Sequence, residues 1–185
     1  KFDFYKGDSV AVFGIGATGM MHVMLAKASN AGKIFCFDVN DFRLDFAKKF
    51  GITKAFKSGD DAKKTILDET NGRGVDVAII ATGNLQALLD SVNYVRRGGW
   101  IVLFGVPSKG ATLSLDMSVI YSKEITLVTS YAASDIDTKE SLKLIESAKT
   151  PVGKLITHRY SIFDSQKAFD HAHTGQGAMK IIITN

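Results

Sequence analysis

Three closely spaced glycines, set between an apolar strand and an apolar helix, constrain this fold most strongly. The segment SVAVFGIGATGMMHVMLAKAS runs from Ser9 to Ser29 and carries them at Gly14, Gly16 and Gly19. In a turn built to approach a diphosphate, the first glycine permits the tight turn and the second lets the ligand reach the backbone. The third lets the helix lie close against the strand. The pattern therefore predicts a dinucleotide-binding turn.

The residues around this turn complete the predicted site. The amides of Ala17 and Thr18 at the helix start are expected to point at the phosphates, whose negative charge the helix dipole favours. The second apolar strand, KIFCFD, ends in Asp38, about 20 residues after the turn, where a carboxylate can accept hydrogen bonds from the adenosine ribose. That carboxylate would repel a 2′-phosphate, so the sequence predicts NAD in preference to NADP. The alternative role of Asp38 is to cap the helix that follows.

Apolar runs alternate with helical patterns over most of the chain. VDVAIIA and WIVLFG are nearly continuous apolar runs, as expected for strands that helices cover on both faces. The alternation predicts an α/β fold, a doubly wound parallel sheet of the Rossmann type in three α/β/α layers. The predicted strands are Val10–Gly14, Lys33–Asp38, Ala55–Lys57, Val75–Ala81, Trp100–Gly105, Thr112–Leu115 and Ile125–Ser130. The predicted helices between the earlier strands are Thr18–Ser29, Asn40–Phe50, Asp60–Thr70 and Leu85–Arg96.

The alternation ends after about residue 133, which suggests two parts. Residues 1–150 are predicted to form the dinucleotide-binding domain, closing with an amphipathic helix over Asp137–Lys149. Residues 151–185 are predicted to form a tail with a strand in KLITHRYSI, a helix near Ser165–His173 and a final strand, KIIIT. We expect this tail to extend an edge of the domain or to pack on a part of the protein outside this chain.

Composition argues against several classes of function. The net charge is +4 and the longest basic runs are pairs such as Arg96-Arg97, whereas nucleic-acid binders cluster positive charge on one face. No apolar run approaches the roughly 20 residues of a membrane helix, and the first residues lack the pattern of a signal peptide. Cys36 is the only cysteine, which excludes an internal disulfide and favours a reducing cytoplasm. We expect a cytoplasmic protein that binds neither nucleic acid nor membrane.

Six short motifs, in order, resemble the cofactor domain of the medium-chain, zinc-type alcohol and polyol dehydrogenases. They are GDSVAVFGIGATG, FDVNDFRLDFAKKFG, TNGRGVDVAIIATGN, RRGGWIVLFGVP, KEITLVTSYAAS and KLITHRYSI. The combination is most similar to the sorbitol and threonine dehydrogenases, and it covers essentially the whole chain. The resemblance implies NAD as cofactor and hydride transfer between NAD and a secondary alcohol of polyol or sugar-like type.

The resemblance assigns further cofactor contacts by position. Asp38, Asn40 and Arg43 in FDVNDFR match residues beside the adenosine and its ribose. The remaining matches are Ala81, Thr82, Gly83 and Asn84 under the ribose and pyrophosphate, Phe104, Gly105 and Val106 along the nicotinamide, and Ser130 and Ala132 at its carboxamide. Lys180 matches a basic residue near the pyrophosphate, and an ordinary surface lysine is the alternative at that position.

The same resemblance implies that the catalytic half of the enzyme lies outside this chain. In the family that half carries the zinc ligands, the proton relay and most of the substrate pocket. We therefore expect an excised or truncated domain that binds NAD without catalysis, with no catalytic residue of its own and zinc only in the other half. The family also implies a homodimer or tetramer paired through edge strands 112–115 and 124–128.

Other functions share parts of this pattern. A non-catalytic, NAD-sensing regulatory domain has the glycine turn and the acid, but it does not account for FGVP, TSYA or the tail. A methyltransferase has a glycine-rich loop after its first strand, but the GxGxxG spacing fits a dinucleotide better. The four histidines lack the helical i, i+4 spacing and the cysteine or acid partners of a zinc site, so no metal is expected in this chain.

Overall fold

Six strands pair side by side in one parallel sheet. The computed structural model describes residues 4–59 and 61–185. The strands are β1 (Ser9–Phe13), β2 (Lys33–Asp38), β3 (Lys54–Lys57), β4 (Val75–Ile80), β5 (Val95–Leu103) and β6 (Thr126–Thr129). Their order is β3-β2-β1-β4-β5-β6, and every pair is parallel. This confirms the predicted doubly wound α/β sheet, whose strand order reverses between β1 and β4 and opens a crevice there.

Helices cover both faces of this sheet. The helices of the described chain are α1 (Ala17–Ala28), α2 (Asp41–Lys48), α3 (Lys63–Glu69), α4 (Leu85–Tyr94), α5 (Met117–Lys123), α6 (Asp135–Glu146) and α7 (Ser165–Thr174). Alternate residues of β1 enter two apolar clusters: Val10 and Val12 pack with α1 and α2, and Ala11 and Phe13 pack with α3 and α4. Burial on both faces explains why the central strands are mostly apolar, with Ser9 in β1 and Asp76 in β4 as exceptions. Within the described residues, no helix is long and apolar enough to cross a membrane.

The prediction of a strand over Thr112–Leu115 is wrong. Residues 111–116 have no regular structure and lead into α5, which the sequence pattern did not predict. Leu113 and Leu115 pack against the cluster beneath α3 and α4 from this irregular backbone, so their alternation reflects burial without strand pairing. The Asp116 side chain accepts from the Ser118 amide and starts the helix. Residues 112–115 are therefore no edge strand for dimerisation.

The boundaries of the other elements lie within a few residues of the prediction, except at the start of β5. β5 begins at Val95, five residues before the predicted Trp100, because α4 ends early at Tyr94. The start of the predicted helix Asp60–Thr70, at residue 60, lies outside the described residues, as do residues 1–3 of the predicted first domain.

Residues 151–185 form a second, two-stranded parallel sheet of β7 (Ile156–Ser161) and β8 (Lys180–Thr184), which α7 connects. Leu155 and Met179 are buried in the same apolar cluster as α1. The tail thus packs on the α1 face of the domain, and it does not extend an edge of the six-stranded sheet.

Candidate functional site

A cleft of about 670 Å³ opens at the carboxyl ends of β1, β2 and β4, beside the crevice of the sheet. Its volume lies within the range of small-molecule sites. The structure brings these predicted residues together in its lining: Gly14, Gly16, Ala17, Thr18, Gly19, Asp38, Arg43, Ala81 and Thr82. The glycine turn and the acid that follows β2 therefore face one space, although 19 residues separate Gly19 from Asp38 in the sequence.

The three glycines of the turn meet different geometric needs. Gly14 has a φ of +81°, which favours glycine, and a Cβ there would lie 2.9 Å from the Cβ of Thr82. A Cβ on Gly19 would overlap the carbonyl oxygen of Gly14, so the helix could not pack as it does. Gly16 has an ordinary φ of −61°, and a Cβ there would come no closer than 3.8 Å to the Arg43 guanidinium. Protein packing explains the first two glycines, whereas a side chain at Gly16 would only occupy the cleft.

The start of α1 also lies in the cleft. Gly16 is its N-cap and offers no side chain to cap the first amides, and the first turn holds no acidic residue. By contrast, Asn40 and Asn84 cap α2 and α4 through their side-chain oxygens. The first amides of any α-helix lack partners within the helix, and they carry the positive end of its dipole. The arrangement suits an anionic group placed at Ala17 and Thr18.

Asp38 is held by backbone donors and is only 4% exposed. Its Oδ2 accepts from the Ile15 amide at 2.8 Å, and its Oδ1 accepts from the Asn40 amide at 2.9 Å. Asn40, and not Asp38, caps α2, which removes the alternative role considered for Asp38. A carboxylate has about four acceptor positions, so each oxygen retains capacity to accept a hydroxyl from the cleft.

Arg43 lies between this acid and the turn. Its Nη1 is 3.7 Å from the Asp38 Oδ2, and its Nε is buried without a hydrogen-bond partner in the described part of the chain. A buried, unpaired donor is costly. A polar or anionic ligand in the cleft would be well placed to satisfy the guanidinium.

Several residues of the cleft escaped prediction. They are Phe13, Phe37, Val39, Ser58, Gly59, Asp61, Gln86, Ala87, Asp90 and Tyr94. Asn84, the last residue of the ATGN match, lines the cleft as well. Phe13 and Phe37 stack with ring centroids 4.4 Å apart, and the Gln86 amide donates to Asp90 one helical turn later at 2.8 Å. Most of the unpredicted residues lie at the carboxyl end of a strand or at the start of the following helix, which was the available signal. Asp90 and Tyr94 lie farther along α4.

The other predicted residues lie beyond this lining. Two of their loops are in contact, since a Cβ on Gly105 would overlap the Thr82 carbonyl and a Cβ on Gly83 would lie 2.6 Å from the Val106 carbonyl oxygen. Ser130 follows β6, and its amide donates to the Leu103 carbonyl at 3.2 Å. The remaining positions are Phe104 at the end of β5, Asn40 at the cap of α2, Ala132 in the exposed segment after β6, and Lys180, exposed on β8.

His22 on α1 lies against Phe104, with the rings edge-on and their centroids 4.5 Å apart. Its Nε2 is buried without a hydrogen-bond partner among the described residues. Burial lowers the pKa of His22 from 6.5 to about 4, so the imidazole is neutral at pH 7. This histidine serves as part of the packing next to the site.

The described residues offer no metal centre and no reactive thiol. Within residues 4–59 and 61–185, no group of three or more His, Cys, Asp or Glu side chains is placed to hold a metal ion. Burial, and then the nearby Asp38 carboxylate, raise the pKa of the Cys36 thiol. A buried thiol in that state is not a nucleophile.

Comparisons with known proteins agree with this geometry. A family model described as "Zinc-binding dehydrogenase" matches residues 17–147. Sorbitol dehydrogenase of Bacillus subtilis is 34% identical over 167 residues, which cover 90% of this chain and 47% of that protein. D-xylulose reductase A of Aspergillus niger is 31% identical over 181 residues, which cover 95% of this chain and 50% of that protein.

The fold has close structural counterparts as well. An alcohol dehydrogenase from Thermotoga maritima superposes with a TM-score of 0.90 at 24% identity, covering 98% of this chain and 51% of that one. The chain spans about half the length of the curated relatives it matches.

Proposed function

We propose, from the premise that this chain belongs to the zinc-binding dehydrogenase family, that its cleft holds NAD for hydride transfer to or from a secondary alcohol. The single observation that carries the proposal is the meeting of the uncapped α1 turn and the buried Asp38 carboxylate in one cleft. A dinucleotide has a doubly charged linker beside a sugar diol, and these two groups match its two features.

Each part of the cleft has a proposed role. The amides of Gly16, Ala17 and Thr18 bind the pyrophosphate, since Gly16 leaves the backbone open to it. Asp38 accepts the ribose hydroxyls while Ile15 and the Asn40 amide hold the carboxylate in place. NAD, when bound, supplies the nicotinamide carbon that gives or takes the hydride.

The nicotinamide end is proposed to lie along the loops after β5 and β6, next to the loop after β4 that lies under the ribose and pyrophosphate. The three loops carry Gly83, Gly105 and Ser130, and they form a row along the carboxyl edge of the sheet. Such a row would present one face of the nicotinamide outward, toward a bound alcohol. Arg43, 3.7 Å from Asp38, remains available to the adenosine side.

The catalytic zinc, the proton relay and the polyol or sugar-like substrate pocket are proposed to belong to another part of the enzyme. We propose that residues 1–150 bind the cofactor and that the tail, residues 151–185, contacts that other part. The tail exposes two large apolar rings, with Phe163 96% and Phe169 67% exposed. This chain alone would then bind NAD and catalyse nothing, and alcohol oxidation by the purified chain would refute that statement.

Subunit pairing is proposed through the outer edge of β6. β6 is the last strand of the sheet order, and Leu127 and Tyr131 on or beside it are 44% and 88% exposed. Exposed apolar edges tend to find partners. Sedimentation of the chain and of a Leu127→Lys variant tests this, and identical monomeric behaviour of both would contradict it.

Thermal melting tests the ligand assignment. A ligand at about 100 times its dissociation constant adds about 2.7 kcal/mol of stability, which corresponds to roughly 5–10 °C for a chain of this size. NAD should produce this shift, with NADP producing less and S-adenosylmethionine none. Asp38→Asn should remove the preference for NAD over NADP, whereas the control Asp41→Asn, an exposed acid paired with Lys57, should keep it. A shift with S-adenosylmethionine alone, or equal behaviour of the two variants, would contradict the proposal.

A further inference from the structure

A second cleft, of about 540 Å³, lies where the chain enters β4 and β5, at the amino ends of these strands. The dinucleotide cleft lies at the carboxyl ends. The second cleft is lined by five cationic side chains and by no acidic one among the described residues: Lys63, Arg73, Arg96, Arg97 and Lys123. We call it the basic cleft.

An irregularity in the sheet places two of these cations. The register between β4 and β5 passes from Val75–Val95 to Val77–Trp100, so β5 carries extra residues that leave the regular ladder. Arg96 and Arg97 belong to this stretch, and Gly98 follows them with a φ of +66°, which favours glycine. The bulge therefore displays the two arginines at the sheet's amino end.

Among the ion pairs of the described residues, one acid, Asp76, pairs with cations of the basic cleft. Asp76, 8% exposed, accepts from the Arg73 Nη2 at 2.9 Å and from the Arg96 Nε. Burial opposes ionisation of Asp76, but the Ser9 amide and hydroxyl and Arg96 outweigh it and hold the pKa of that carboxyl below its usual range. Asp76 is therefore anionic at neutral pH. It fixes Arg73 and Arg96 while offsetting a single positive charge.

Lys123 and Arg97 are held by carbonyl groups, which leave their charge unbalanced. Lys123 donates its ammonium to the Val92 and Val95 carbonyl oxygens at 2.8 and 3.3 Å, and Arg97 donates to the Ser122 carbonyl at 2.7 Å. Burial, followed by repulsion from Lys63 and Arg97, lowers the pKa of Lys123. A multiply charged anion would relieve this repulsion.

We propose that the basic cleft binds a phosphate group, free or carried by a small polar molecule. An arginine has five N–H donors in a fork that matches phosphate oxygens. Each of the three arginines uses only one or two of its donors in the bonds of the described structure. The lining also includes Leu67, Asn93 and Tyr94, which can contact an organic group attached to the phosphate. Tyr94 lines both clefts, whereas the five cationic side chains line the basic cleft and not the dinucleotide cleft.

Amide NMR spectra of the 15N-labelled chain test the proposal with residue resolution. The probes are inorganic phosphate and glucose 6-phosphate, each added at constant ionic strength against a chloride control. We expect shifts at Gly72, Gly74 and Asn93, and a shift at Gly16 would report phosphate at the α1 turn and is fitted separately. Equal affinity of the two probes identifies the bare anion as the ligand, and tighter binding of glucose 6-phosphate identifies a phosphate ester.

A double variant and its matched control complete the test. Lys63→Gln with Arg97→Gln should weaken binding of both probes at least about tenfold, since charge-assisted hydrogen bonds are lost, and Asp76 keeps its partners in this variant. Lys139→Gln with Lys143→Gln removes the same charge from exposed positions on α6 and should leave binding unchanged. Equal weakening in both variants, shifts confined to Gly16, or no shifts at all would overturn the proposal. Failure of NAD to bind would not affect it.

Discussion

Acidification is expected to destabilise this protein through His22. The side chain packs edge-on against Phe104, and its Nε2 has no partner among the described residues, so a proton on the ring would be buried without compensation. Each pKa unit corresponds to about 1.4 kcal/mol, so the difference between 6.5 in the unfolded chain and about 4 in the folded chain corresponds to about 3 kcal/mol.

The sign follows from which state binds the proton. As the pH falls below 6.5 the unfolded chain protonates His22 and the folded chain does not, so stability is lost between pH 6.5 and about pH 4. At pH 5 the loss relative to pH 7.5 amounts to about 2 kcal/mol, or roughly 6 °C in melting temperature. Above pH 7 His22 is neutral in both the folded and the unfolded chain, so the full contribution to stability is retained there.

The assay compares melting curves at pH 7.5 and pH 5 for the parent chain and two variants. His22→Leu fills a similar volume and cannot titrate, so its loss on acidification should be smaller than that of the parent by about 2 kcal/mol. His173→Leu, at an exposed position on α7, should behave as the parent does. If His22→Leu and the parent lose the same stability between these pH values, the reasoning about the buried imidazole is refuted.

Three further predictions concern the turn, the tail and Asp76. Gly16→Ala should melt within a degree or two of the parent but bind NAD at least about tenfold more weakly in calorimetric titration. Gly19→Ala should lose about 2 kcal/mol of stability without any ligand, because its Cβ overlaps the Gly14 carbonyl. Equal melting temperatures of these two variants would contradict the distinction. Leu155→Ala should lower the free energy of unfolding in urea by about 3 kcal/mol, since Leu155 is 1% exposed. A loss below about 0.5 kcal/mol, as expected at a surface position, would show that the tail does not pack on the domain. Asp76→Asn should lower the free energy of unfolding by about 2 kcal/mol at pH 7. Because the pKa of Asp76 is lowered in the folded chain, the difference in stability from the parent should shrink as the pH falls below about 4. A difference that is constant with pH would contradict this prediction.

The six-stranded sheet was predictable because its residues serve local and global structure alike. Val10–Phe13 are apolar at every position and Val75–Ile80 at every position except Asp76, since helices cover both faces of the sheet. The glycine turn could be identified for a similar reason. Gly14 and Gly19 are required by a φ value and by a backbone contact within a few residues, and such constraints are visible in a short sequence.

Other features depend on contacts that sequence periodicity does not encode. Leu113 and Leu115 alternate as a strand would, yet they are buried from irregular backbone because the cluster beneath α3 and α4 is within their reach. Gln86 and Asp90 enter the cleft only because α4 begins beside β1 at the reversal of strand order. The basic cleft joins Lys63 and Arg73 to Lys123, which lies 50 residues after Arg73 in the chain.

The geometry of bound NAD tests the central claim most directly. A crystal structure of this chain with the oxidised cofactor should place the pyrophosphate oxygens within hydrogen-bonding distance of the Ala17 and Thr18 amides. The two hydroxyls of the adenosine ribose should lie on the Asp38 carboxylate. A pyrophosphate bound elsewhere, or a ribose that leaves Asp38 with only its contacts to Ile15 and Asn40, would contradict the account.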